Sequence, residues 1–130
     1  MPPAIEFSHV SRSFGEITAV DDLTFAVPEG SITVLLGPNG AGKTTTVRLT
    51  TGALGSDKGT IKVLGLDPAI DGDEVRSRSA VVPPKPALYD RLSGWDNLSF
   101  TADIFGASHD EILPAAERFG IDHAPVSYTH

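Results

Sequence analysis

The run Gly37-Pro38-Asn39-Gly40-Ala41-Gly42-Lys43-Thr44 has the spacing G-x-x-x-x-G-K-[ST], and its residue types suit one task, holding a chain of phosphates. Glycine tolerates positive φ and carries no Cβ. The backbone can therefore turn tightly, so that the N–H groups from Gly40 to Thr45 converge on an anion. Lys43 adds a mobile positive charge for β- and γ-phosphates, and the Thr44 hydroxyl can ligate Mg²⁺. A helix that began at Lys43 would contribute its positive N-terminal end. No base or nucleophile is present in the run: it matches charge and does no chemistry of its own. A glycine-rich turn that merely joined a strand to a helix would need no lysine followed by a hydroxyl.

Such a loop requires a strand before it and a helix after it. Ser31-Ile32-Thr33-Val34-Leu35-Leu36 is a short, mostly apolar run rich in β-branched residues, which predicts a strand buried on both faces of a parallel sheet. From Lys43 to about Thr50 a helix is predicted, with Val47 and Leu49 partly inward and Thr51-Gly52 ending it. Upstream, the alternation in residues 5–10 and the run Leu23-Thr24-Phe25-Ala26-Val27, closed by Pro28-Glu29-Gly30, predict the strands of a β-subdomain. Downstream, residues 59–65 alternate as a further strand, and Ala80-Val81-Val82 reads as a short apolar one.

The last third is helical in pattern. Trp95, Leu98, Ala102 and Phe105 recur at steps of three and four, and Ser93 with Asp96 resembles a capping box. Ser108 with Glu111 offers a second cap ahead of Ile112, Leu113, Ala116 and Phe119. Pro114 is expected to kink or shorten that helix at a cost of ~3 kcal/mol.

The bulk properties narrow the function. A chain of 130 residues with 40% hydrophobic content predicts one core, and a chain this short leaves much apolar surface accessible. The net charge of −7 would repel a phosphate backbone, so no nucleic acid partner is expected. With no cysteine there is neither a disulfide framework nor a thiolate metal site. The first residues carry no basic-then-apolar leader, and no run reaches the ~20 apolar residues of a membrane span, so a soluble cytoplasmic protein is expected. Asn97-Leu98-Ser99 matches a glycosylation sequon by chance, and His9, His109, His123 and His130 share no ligand spacing and read as surface residues.

The inner loop residues Pro38-Asn39-Gly40-Ala41, with Thr44-Thr45, resemble the ATP-binding-cassette (ABC) form of the phosphate loop more than the GTPase, kinase or helicase forms. The segment from Ser13 to Val20 is similar to the family's adenine-contacting segment. By that resemblance the aromatic ring that stacks on the base is Phe14, and Val20 adds apolar contact. By residue type alone, Phe14 reads equally as a core or edge aromatic. Val81 to Gly94 resembles the Q-loop region, which joins the catalytic core to a helical subdomain and, in transporters, faces the membrane subunit. Leu88, Tyr89 and Leu92 would be its apolar contacts, with Asp90 and Arg91 at the rim; an ordinary solvated loop is the other reading. Where the family usually has a glutamine that reaches Mg²⁺ and the attacking water, this chain has Pro84, which has no side-chain oxygen.

The resemblance covers residues 1–124 in outline, and 125–130 does not continue it. It implies an α/β fold: an antiparallel β-subdomain, part of a parallel core sheet carrying the phosphate loop and its helix, and the start of a helical subdomain. It further implies ATP and Mg²⁺ as ligands, a membrane transporter subunit and a second ABC domain in a head-to-tail dimer as partners, and a place at the inner face of the cell membrane. The parent protein would hydrolyse ATP to drive transport, in the export direction. The signature motif, catalytic glutamate and switch histidine of the family lie beyond the matched half, so the chain alone is expected to bind nucleotide without turning it over. A soluble ABC protein of translation or DNA repair is the alternative from another class.

Overall fold

The computed structural model describes residues 2–123, which form two compact units that divide between Ala80 and Val81. In the first unit, β1 (Ile5–Phe14) is the central strand of a three-stranded antiparallel sheet ordered β2-β1-β3, with β2 at Ile17–Val27 and β3 at Lys58–Val63. The two long strands meet in a hairpin closed by the pair Phe14 and Ile17. Gly15 takes φ 59 in its two-residue turn, the positive value that lets a tight hairpin follow the strand twist. The two hairpin strands, β1 and β2, are longer than their alternating segments predict, and β1 shifts register between Phe7 and Val10 and again before Arg12 and Ser13. Each bulge breaks the period of two without breaking the pairing.

α1 (Lys43–Thr50) and α2 (Gly72–Ser77) cover one face of this sheet with Leu49 and Val75, which join Phe7, Val10, Val20, Ile61 and Val63 in the core. The Phe7 and Phe25 rings pack with centroids 4.7 Å apart. Leu49 turns inward as the sequence predicts, but Val47 does not; Thr46 takes the second buried position. Thr46 lies three positions before Leu49 and Val47 only two, and a step of three returns a helix to the same face.

The predicted strand at residues 31–36 does not form. The segment has no regular secondary structure, with Ile32 95% and Leu36 84% exposed. A strand buried on both faces needs neighbours to accept its hydrogen bonds, and none of the described residues supplies them. Ala80-Val81-Val82 likewise forms no strand, and Val82 is 94% exposed.

The second unit holds α3 (Gly94–Phe105), a 3₁₀ turn (His109–Glu111) and α4 (Ile112–Arg118). Ser93 caps α3 as predicted, its hydroxyl accepting from the Asp96 N–H at 3.0 Å, while the Asp96 carboxylate accepts that same hydroxyl at 2.8 Å and not the Ser93 N–H of a full capping box. Of the expected apolar face only Ala102 is fully buried, and Phe105 is exposed. Ser108 caps the 3₁₀ turn through the N–H of Asp110 and not of Glu111. Because α4 proper begins only at Ile112, Pro114 falls in its first turn, where a missing N–H costs no intrahelical bond. α4 is a short helix of 7 residues that runs past Pro114 to Arg118. No helix among the described residues is long and apolar enough to cross a membrane.

Candidate phosphate and nucleotide site

The loop from Gly37 to Gly42 lies exposed at the head of α1. Gly40 and Gly42 take φ 85 and 88, conformations that strain any residue with a Cβ. At Gly42 space forbids one as well: a Cβ there would collide with the carbonyl oxygen of Ala19 and come within 3.3 Å of Val20 Cγ2. The loop thus rests on the second strand of the hairpin. A tight turn of the backbone, with the Ala41 N–H donating to the Pro38 carbonyl at 3.1 Å, sets its curvature.

Gly42 is also the N-cap of α1 and offers no side chain to the helix end, and the first turn contains no acid. The leading N–H groups are left for a ligand, with the helix dipole uncancelled behind them. The Lys43 ammonium folds back onto the loop and donates to the carbonyls of Gly37 and Pro38, 2.7 Å from the latter. Asn39 and Ala41 complete the exposed rim.

The threonines of α1 divide by role. Thr46 and Thr50 donate their hydroxyls to the carbonyls of Gly42 and Thr46, at 2.8 and 2.9 Å. Thr44 is exposed and its hydroxyl makes no such bond, which leaves an oxygen free at the place where a hard cation beside a phosphate would need one. One hydroxyl beside phosphate oxygens and water is a donor set that Mg²⁺, which keeps several of its waters, would accept.

Phe14 sits at the tip of the β1–β2 hairpin and is 44% exposed, with the Arg12 guanidinium carbon 4.8 Å from its ring centroid. Val20 is placed differently from the sequence expectation. It pairs with Arg12 in the ladder and is buried in the core, so it packs beneath the phosphate loop and presents almost no surface to a base.

In the second unit, Tyr89 to Leu92 form a turn closed by the Leu92 N–H on the Tyr89 carbonyl at 3.0 Å. Asp90 and Arg91 are its exposed central residues, Leu88 and Tyr89 are exposed, and Leu92 is half-buried. Pro84 is exposed in the irregular stretch before the turn.

The family model for ABC transporters matches residues 20–129. The chain belongs to the ABC transporter family. Among its relatives, the probable multidrug ABC transporter ATP-binding protein YbhF of Escherichia coli is 36% identical over 121 residues, which are 90% of this chain and 21% of that protein. The Nod factor export ATP-binding protein I of Sinorhizobium fredii is 40% identical over 112 residues, 86% of this chain and 33% of that one. A solved ATP-binding subunit of an ABC transporter superposes with a TM-score of 0.83 at 28% identity, over 96% of this chain and 54% of the other. The chain therefore spans between about a fifth and a half of the length of these ABC proteins.

Two residues of this ABC chain escaped the sequence reading. Asn97 is buried, and its amide accepts the Tyr89 N–H at 2.8 Å while donating toward the carbonyls of Tyr89, Ser93 and Leu92. Its match to a sequon drew attention to the wrong property; the usable signal was an asparagine placed inside an apolar helical pattern, where propensity disfavours it. Arg12 was missed because one basic residue in an alternating strand carries no motif.

Proposed function

We infer that this chain is the nucleotide-binding portion of an ABC transporter ATPase subunit, which holds the triphosphate of ATP with its Mg²⁺ and couples ATP binding and hydrolysis to export. The observation that carries the reading is the capless helix end at Gly42, with Lys43 drawn onto the same loop and Thr44 left open. In this arrangement the loop N–H groups and Lys43 take the β- and γ-phosphates, and Thr44 takes the metal. Phe14 stacks on the adenine. Mg²⁺ when bound neutralises phosphate charge and orients the transferring group.

The loop positions and neutralises; it offers no group to activate water. Hydrolysis accordingly belongs to the complete subunit paired head to tail with a second ABC domain, and the chain by itself binds without turnover. The turn at Leu88, Tyr89, Asp90, Arg91 and Leu92 contacts the membrane subunit, which holds the protein at the cytoplasmic face. Export is supported by two relatives, a probable multidrug ABC transporter protein and a Nod factor export protein.

Calorimetric titration of the chain with Mg·ATP tests the site. Lys43→Ala should weaken binding ~10- to 100-fold, the value of a lost charge-assisted contact. Superimposable titrations of the two proteins would remove the phosphate-loop assignment.

A further inference from the structure

We propose that Arg12 is a positioning residue for the nucleobase: it backs one face of the Phe14 ring, leaves the other to the adenine, and ties that platform to the phosphate helix. The proposal rests on the reading of Phe14 as the stacking residue.

Arg12 stands two residues before Phe14 on β1, and its guanidinium carbon lies 4.8 Å from the ring centroid. A guanidinium at this distance is attracted by the negative face of the ring and covers it. Phe14 still keeps 44% of its surface open, enough for a base on the uncovered side. A cation on one face also draws π density toward itself. The opposite face becomes less negative and so stacks better on an electron-rich purine.

The arginine is fixed from behind. Nη1 donates to the Gly55 carbonyl at 3.1 Å and lies 3.4 Å from Asp57 Oδ1, while the other Asp57 oxygen accepts the Ser13 N–H at 2.8 Å. Gly55 and Asp57 belong to the connection that leaves α1 and enters β3. One side chain thus touches both the ring and the segment trailing the phosphate-loop helix. Its ladder partner Val20 supplies a second link, since Val20 packs against Gly42.

Arg12 Nε is buried with no hydrogen-bond partner. Buried donors in native proteins nearly always find one. A shorter donor could join Gly55 and Asp57 without this orphan, so that junction alone does not account for a guanidinium laid against the ring.

The test uses the 130-residue chain with Mg²⁺, titrated with ATP and separately with inorganic tripolyphosphate, for the parent protein, Arg12→Met, Arg12→Lys and Phe14→Ala. Arg12→Met keeps length and apolar packing but removes the charge; it should weaken ATP about 3- to 10-fold and leave tripolyphosphate within about twofold. Arg12→Lys keeps the charge without the planar fork and should fall between, and it carries the same comparison if Arg12→Met does not fold. Equal weakening of both ligands would overturn the proposal in favour of a general effect on fold or charge, and tighter ATP binding would show that the arginine blocks the ring. If Phe14→Ala weakens ATP and Arg12→Met does not, this inference fails alone. If neither changes ATP binding, the assignment of Phe14 fails with it.

Discussion

The side-chain amide of Asn97 pairs with both backbone polar groups of Tyr89, accepting its N–H at 2.8 Å and donating to its carbonyl at 3.2 Å. A helix residue thereby holds a loop residue in the way a neighbouring strand would. The Tyr89 ring adds an edge contact with Phe100, one turn further along the helix, at 5.4 Å between centroids. The proposed membrane-facing turn is therefore fastened to α3 by its first residue, while Asp90 and Arg91 remain at its exposed tip.

Asn97→Ala should remove the side-chain bonds to the Tyr89 N–H and to the Tyr89 and Ser93 carbonyls and cost ~1–3 kcal/mol of stability. Urea denaturation measures that cost, and limited proteolysis should find the 84–92 segment cut faster. ATP binding, whose groups lie in the other unit, should not change. An unchanged midpoint and cleavage rate would mean that the turn holds itself together.

Gly42→Ala joins two faults, a Cβ at φ 88 and a collision with the Ala19 carbonyl oxygen. The strain of a non-glycine residue there is of order 1–3 kcal/mol. Relief requires the loop to lift from the hairpin, so both thermal stability and ATP affinity should fall together. A variant that lost neither would show that the loop does not rest on Ala19. Gly40→Ala, whose Cβ would meet no atom within 4 Å, provides the comparison for backbone strain alone.

Phe14→Ala should remove base stacking worth ~1–3 kcal/mol of ATP affinity and leave tripolyphosphate binding unaltered. Calorimetry with both ligands separates a base contact from a structural role. Parallel losses would make Phe14 a packing residue of the hairpin.

Pro84 fixes its own φ, lacks an N–H, and with Pro83 and Pro86 restricts the residues before each ring to extended geometry. Pro84→Gln should loosen this stretch and return a side-chain oxygen. In the full-length protein with its membrane subunit, ATP affinity should stay within about threefold, below ~0.7 kcal/mol. The stimulation of ATPase activity by transported substrate should change. Identical stimulation in one reconstituted system would make Pro84 a passive linker residue.

The sequence by itself determined what is local. The spacing of Gly37, Gly42, Lys43 and Thr44 is what carries the proposal of a phosphate loop, because each residue would act through its own backbone freedom or its own terminal atom. The α1 limits, the Ser93 cap and β3 were legible for the same reason, since caps, turns and short periodicities depend on neighbours a few positions away. What the chain could not announce depends on residues distant in sequence. Residues 31–36 have the composition of a buried strand but no partner among the described residues, and composition cannot supply the neighbour's hydrogen bonds. Pairing across the hairpin placed Val20 opposite Arg12 and in the core, and the Arg12 side chain lies on the Phe14 ring, contacts that no single segment of sequence announces. Only the tertiary structure could decide that Gly42 must be glycine against Ala19, 23 positions away by their numbers, and that Asn97 clamps the loop at Tyr89.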